Sequence, residues 1–388
     1  ALKGIGRPEQ AAELFEGLLR EHPGHTGALL SLGDCYKAMG KASDSAALFR
    51  RAIQLNSADG VAWWSLSNLK AGGFTPDEME QLRQLTGHAR PPAQQLYFEF
   101  ALATAYAQSG DHERAFRHYQ AGNRLKHEQE PWNQAEFERW LIGLNETYRS
   151  LDIPERPELT GPRPVFIVSL PRSGSTLTEQ ILAAHPQVTA ASELPWIPRI
   201  IGEACSARSM GVGPWVKQAD DEDWSRLASE YMKRSRFWQQ GTEVFTDKLP
   251  GNFPYTPAIL KMLPQALVVN VQRDGRDVCW SCYRQLFISG SSFAYDLDDL
   301  AGYWNAHREF MSEWESRCPE RVLNLSYEEL VDQPEQQARR LMEFVGLPWD
   351  ERCLRFYEAD RAVNTASASQ VRQKINRSGI GHWKLYQE

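Results

Sequence analysis

The chain has 388 residues, 42% of them hydrophobic and 24% charged, with a formal net charge of −7. That length allows two or three domains with sizeable cores. The negative balance argues against a general nucleic-acid binder while leaving room for a local basic pocket, and the longest apolar run, Val165–Leu170, is far too short to span a bilayer.

No signal-peptide pattern opens the chain, which starts at Ala1 and so leaves a preceding segment open. The cysteines, at 35, 205, 279, 282, 318 and 353, are scattered and form no disulfide framework. Cys279 and Cys282 make a C-x-x-C with no second pair or His cluster, so they read as small buried helix residues and not as zinc ligands. A reducing, cytoplasmic setting is expected.

Roughly the first 125 residues carry helical apolar spacing only. Leu32, Gly33, Tyr36, Phe49, Ala52 and Ser57 resemble the Leu-Gly-x-x-Tyr, Phe, Ala, Pro order of tetratricopeptide repeats. About 34 residues earlier, one period of such repeats, stand Phe15, Leu18 and Pro23. One period later stand Leu66 and Ser67, after Trp63-Trp64, and a further unit holds Ala103, Tyr106, Ala115, Tyr119 and Gly122. Residues 1–150 are therefore expected to form an all-α stack of three to four helical hairpins. One hairpin cannot bury its apolar face alone, so neighbours cover it. The concave side of such a stack binds peptides; it can equally brace a second domain or a homodimer, and the sequence leaves both readings open.

Trp132–Tyr148 reads as helical. The stretch "DIPERPELTGPRP", with four prolines and a glycine, reads as a linker over residues 151–163. The pattern then changes. Val165–Leu170, Ala266–Val271 and Val322–Leu325 are short apolar runs rich in β-branched residues, Val188–Ala191 is another strand region, and helical segments lie between them. Residues 164–388 are expected to form a parallel sheet covered by helices on both faces.

The run Val165–Leu170 ends in "PRSGST" and a helical pattern follows, the layout of a phosphate-binding loop. Gly174 supplies unusual backbone angles, Arg172 a planar donor fork, and Ser173, Ser175 and Thr176 hydroxyls. The lysine of a nucleoside triphosphatase loop is missing, and no persuasive aspartate for magnesium appears. A singly charged sulfuryl group, moved without a metal, suits this loop better than a phosphoryl group. "VVNVQRDGRDVCWSCYRQLF" follows the same strand–turn–helix logic and offers Arg273 and Ser281 to a second phosphate.

Together the segments resemble the sulfotransferases that use 3′-phosphoadenosine 5′-phosphosulfate (PAPS). They are most similar to tyrosylprotein sulfotransferases and their bacterial relatives fused to tetratricopeptide repeats. "PRSGSTL" resembles the family's 5′-phosphosulfate loop and "VQRDGRDVCWSCY" its 3′-phosphate segment. "HPQVTAASELPWIPRI", "FTDKLPGNF", "VLNLSYEELVDQPEQQARRLMEFVGLPW" and "SASQVRQKI" match further stretches, so the likeness runs from Pro164 to Trp383.

The resemblance implies a P-loop-like α/β sulfotransferase domain, with PAPS as donor and PAP as product. Arg172, Ser173, Gly174, Ser175 and Thr176 would hold the 5′-phosphosulfate, and Arg273 and Ser281 the 3′-phosphate. Tyr327 and the loop from Ser367 to Ile375, with Gln370 and Lys374, would complete the pocket. Glu193 falls at the catalytic base, and Lys248 and Ser367, with Arg172, at the groups that stabilise the transferring sulfuryl. A carboxylate base and a lysine electrophile are also what the reaction requires chemically. His185 is a weaker candidate base, since it precedes Pro186 at a helix end.

The pattern departs from the family at several points. Ala191 stands two residues before Glu193, so the family's disulfide there is absent. No counterpart of its membrane anchor is expected. Gln285 replaces an arginine twelve residues after Arg273, and Gly381-His382-Trp383 replaces Ser-Lys-Trp. The acceptor thus stays open among protein tyrosine, carbohydrate, lipid and small phenol. An inactive PAP-binding scaffold working through its repeats is the competing class; retention of the glutamate, lysine and serine together argues against it. The missing loop lysine argues against a small-molecule kinase.

Overall fold

The computed structural model describes residues 8–69, 73–88, 90–157, 162–239, 241–288, 290–358 and 371–387. Among these, eight α-helices precede the first strand: Pro8–Glu21, Thr26–Ala38, Ala42–Leu55, Gly60–Ser67, Pro76–Thr86, Pro92–Gln108, His112–Gln129 and Gln134–Tyr148. Close approach explains the repeat glycine. A Cβ on Gly33 would run into the Phe49 ring, and the Ser45 hydroxyl donates to the Gly33 carbonyl at 2.7 Å. Farther along, Phe100 and Tyr119 pack edge to face across the pair Pro92–Gln108 and His112–Gln129, their centroids 6.0 Å apart.

Five parallel strands follow in the order β2-β3-β1-β4-β5. They are β1 (Arg163–Ser169), β2 (Val188–Ala190), β3 (Val244–Asp247), β4 (Leu267–Gln272) and β5 (Val322–Ser326). Val165 of β1 pairs with Thr246 of β3 and Leu267 of β4, which makes β1 the centre of the sheet. Alternation of side chains sorts the two faces. Val165, Ile167, Leu267 and Val269 enter one apolar cluster, with Leu341 and Val345. Phe166, Val168 and Val268 enter the other. Helices thus cover both faces, as the buried apolar runs require.

The second cluster continues without a break into the repeats, through Phe49, Trp63, Phe98 and Tyr148 to Trp314. Polar ties cross at the same place. Asn123 Nδ2 donates to the Tyr283 carbonyl at 2.8 Å. Asn145 Oδ1 accepts from Trp314 Nε1 at 2.8 Å, and its Nδ2 donates to Glu313 at 2.8 Å. Arg149 pairs with Glu313 at 2.7 Å. Farther on, Arg321 donates to the Pro154 carbonyl at 3.1 Å, pinning part of the proline-rich stretch to the sheet domain. No helix among the described residues is long and apolar enough to cross a membrane.

Candidate active site

All five strands run the same way, so their C-terminal ends open on one edge, where open α/β sheets bind ligands. The turn after β1 is bent by two left-handed residues, Arg172 at φ +68° and Gly174 at φ +105°. The first is uncommon for a side-chain-bearing residue and costs of order 1–3 kcal/mol. A Cβ on Gly174 would come within 2.5 Å of the Tyr327 ring. The helix Ser175–Ala183 starts there with no side-chain cap, so its first amides and its dipole face whatever the turn holds. Ser173, Ser175 and Thr176 are all buried in the turn.

Arg172 Nε donates to Ser281 Oγ at 3.3 Å, on the helix Gly275–Tyr283 that follows β4. Arg273, at the end of β4, donates through Nη1 to the Arg172 carbonyl at 2.7 Å and through Nη2 to the Gly379 carbonyl. Its guanidinium lies 4.8 Å from the Tyr327 ring centroid, and its Nε is buried without a hydrogen-bond partner among the described residues. Burial first, then the neighbouring Arg284 and Arg273 cations, pull the Arg172 guanidinium down to about 10. Cations crowded against one another in a buried turn are what an incoming anion relieves. Sequence reasoning therefore picked out Arg172, Ser173, Gly174, Ser175, Thr176, Arg273, Ser281 and Tyr327, and the fold brings all eight to one place.

The other pair comes from the other half of the sheet. Lys248 follows β3 and is 1% exposed; its Nζ meets Glu193 Oε1, 50% exposed in the loop after β2, at 2.6 Å. A buried cation and a solvent-facing carboxylate thus lie in contact at the same sheet edge as the turns. His185 is spent structurally: Nε2 faces the Pro348 carbonyl at 3.0 Å and Nδ1 accepts from Gln187 N at 3.1 Å.

Three further residues were assigned from the resemblance. Ser367 and Gln370 lie outside the described residues. Lys374 is exposed, and its contact is the Tyr357 ring, at 5.9 Å from the centroid, rather than Arg172 or Arg273. Gln285 turns to its own loop and donates to the Leu286 carbonyl at 3.1 Å. Arg284, beside it, is a cation close enough to act on Arg172, as Arg273 is. Of the C-x-x-C pair, Cys282 is buried as expected, whereas Cys279 is only half-buried; both are free thiols.

Other groups at this edge were not anticipated. A cavity of about 170 Å³ opens between the ends of β1, β4 and β5, lined by Ser173, Arg273, Trp304, His307 and Glu328 among others. His307 is buried there, held neutral down to about 3 by its burial. Asp247, the last residue of β3, is fully buried and accepts from Tyr231 OH at 3.0 Å. Glu179 is 1% exposed in the helix that begins at the turn. Asp247 closes the short strand Val-Phe-Thr-Asp, where nothing local marks its burial. Glu179 has the spacing of an ordinary helix-surface acid.

Residues 164–351 match a family model described as "Sulfotransferase family", and residues 6–69 match one described as "Tetratricopeptide repeat". An uncharacterized protein of Aquifex aeolicus is 30% identical over 392 residues, covering 98% of this chain and 51% of that protein. Protein-tyrosine sulfotransferase A of Caenorhabditis elegans is 30% identical over 243 residues, covering 56% of this chain and 60% of that protein. A solved sulfotransferase domain, from the Synechococcus PCC 7002 olefin synthase, is similar with TM-score 0.43 and 22% identity over 59% of this chain and 90% of that one. Residues 164–351 thus form a parallel α/β sheet domain of the sulfotransferase type, and a helical region like tetratricopeptide repeats precedes it. The chain spans 51% and 60% of the two curated relatives' lengths.

Proposed function

We propose that this chain is a PAPS-dependent sulfotransferase acting on a hydroxyl acceptor, with a protein tyrosine as the first acceptor to test. The observation that carries the reading is the contact of buried Lys248 with half-exposed Glu193 at 2.6 Å, on the sheet edge that also holds the joined arginine turns. When bound, PAPS supplies a sulfuryl group already attached to a phosphate leaving group. The protein's own part is to bind, orient and move one proton.

Arg172 and the amides of residues 173–176 are assigned to the 5′-phosphosulfate, and Arg273 with Ser281 to the 3′-phosphate. The fit rests on the uncapped helix start and on the buried Nε of Arg273, which has no partner among the described residues. Glu193 would take the acceptor proton; its exposure lets an acceptor arrive from solvent. A positioned carboxylate contributes typically about 10²–10⁴-fold. Lys248, preorganised by burial, would meet the charge that grows on the leaving oxygen. Ser367, Gln370 and Lys374 keep the cofactor roles that the resemblance implies. The protein-tyrosine sulfotransferases among the relatives, together with the repeats, favour a peptide acceptor. The division at residues 150 and 164, with a linker between, is part of the same proposal.

Calorimetry with PAP, ADP and ATP tests the donor site. One charge-assisted contact to the 3′-phosphate is worth about 1.5–3 kcal/mol, so PAP is expected to bind roughly 10–100-fold more tightly than ADP. ATP binding as tight as PAP binding would contradict the reading.

A further inference from the structure

The residue before Glu193 is held by a buried acid. Ser192 N donates to Glu179 Oε1 at 3.1 Å. Thr246 Oγ1 donates to the same Glu179 oxygen at 3.0 Å. Ser192 adopts φ +57°, a left-handed conformation for a residue that bears a side chain. Such a conformation persists where the surroundings over-determine it, and here both flanking peptide groups are engaged. The amide goes to Glu179, and the carbonyl accepts from Lys248 N at 2.9 Å. The next side chain along each segment, Glu193 on one and Lys248 on the other, then meets its partner at 2.6 Å.

Glu179 therefore touches both segments that carry the reacting pair: Thr246 lies two residues before Lys248, and Ser192 one before Glu193. It also sits on the helix whose start forms the phosphate turn, five residues beyond Gly174. One helix thus presents its amides to the donor from its first turn and holds the base loop from its middle. Bonds accepted by a carboxylate are roughly twice as strong as neutral ones, which suits a loop that must keep a left-handed residue in place.

We infer that Glu179 is a positioning residue, fixing Glu193 and Lys248 relative to the phosphate turn through the Ser192 amide and the Thr246 hydroxyl. This rests on the sulfotransferase reading above, but the clamp itself can be measured without it.

The test uses the full chain as wild type, Glu179→Ala, Glu179→Gln and Thr246→Val. Amide hydrogen exchange at Ser192–Leu194 is read against exchange in β4. The alanine variant is expected to exchange at least about 10-fold faster at Ser192–Leu194 with β4 unchanged, the valine variant to lie between it and wild type, and the glutamine variant, which keeps an acceptor oxygen, to stay near wild type. Sulfuryl transfer from PAPS to a tyrosine peptide and PAP affinity are measured alongside. Misplacement by about 1 Å can cost on the order of 100-fold, so kcat is expected to fall roughly 10–100-fold in Glu179→Ala with PAP affinity within about 2-fold. The glutamine variant should restore most of kcat. Unchanged exchange at Ser192–Leu194 in the alanine variant would overturn the clamp, whatever the activity. So would a kcat loss matched by an equal loss of PAP affinity, or no recovery with glutamine. If Glu179→Ala does not fold, Thr246→Val carries the same test: unchanged exchange there overturns the proposal. A wild type that binds PAP no better than ADP would sink the functional reading and leave the exchange result standing.

Discussion

Arg273 donates to the main-chain carbonyl of Arg172 at 2.7 Å, across 101 residues of sequence. The bond makes the turns after β1 and β4 one object, so a ligand with two phosphate groups meets a preset spacing. Arg273→Ala is expected to weaken PAP binding about 10–100-fold, the loss of one hydrogen-bonded charge. Arg273→Lys should recover only part of it, because an ammonium cannot span both carbonyls in a fork. Calorimetry with PAP checks both.

Gly174→Ala tests the turn itself. The added Cβ would lie 2.5 Å from the Tyr327 ring, at φ +105°. A stability loss of about 1–3 kcal/mol is expected, with PAP binding abolished. Adding Tyr327→Ala removes the clash but not the backbone strain, so thermal unfolding should show partial recovery of Tm only.

Two buried groups give stability opposite dependences on pH. Burial, and after it the Glu179 charge, push Asp247 up to about 8. Its unfolded value is about 3.9, so between those values the folded chain holds a proton that the unfolded chain has lost. The stability this group contributes is full below the unfolded pKa and is lost as pH rises through the folded one, by at most about 1.4 kcal/mol per pH unit. Asp247→Asn should therefore gain in Tm relative to wild type as pH goes from about 5 to 8. His307 works the other way. Its imidazole stays neutral down to about 3, whereas an unfolded histidine protonates near 6.5. Stability is lost as pH falls through that window, and His307→Phe should flatten the acid limb of the curve.

The C-terminal segment links the repeats to the turns after β1 and β4. The Tyr386 ring lies 4.1 Å from Trp280 and 4.9 Å from His112. Trp383 carries the Arg276 guanidinium at 4.0 Å, and Gly381 N donates to Asp277 at 2.7 Å. Gly379, which accepts from Arg273, belongs to the same segment. An aromatic contact is worth about 0.5–1.5 kcal/mol beyond its burial. Tyr386→Ala should therefore weaken PAP binding roughly 2–10-fold from outside the site. Unchanged affinity would show that the segment is only packed there.

What could be read from the sequence was what depends on short-range pattern. The buried runs gave β1, β4 and β5 to within two residues at their ends, because parallel strands buried on both faces are continuously apolar. Gly174 and Arg172 were legible because a strand–turn–helix phosphate loop is local. Gly33 was legible because repeat period and close packing coincide. Glu193 and Lys248 are 55 residues apart, and only the resemblance joined them. Glu179 and Asp247 stayed hidden because neither carries a local mark: burial of an acid is decided by chain segments brought together by the sheet. The continuity of the core from Phe49 to Trp314 was hidden for the same reason, since no periodicity says which helix face meets a distant domain.

The most direct test is transfer of radiolabelled sulfate from PAPS to tyrosine peptides by wild type and by Glu193→Ala. Wild type is expected to label the peptide, and the variant to do so about 10²–10⁴-fold more slowly while PAP binding is retained. Equal labelling by both proteins would contradict the assignment of Glu193 as the base, and no labelling by wild type that nonetheless binds ATP more tightly than PAP would contradict the account as a whole.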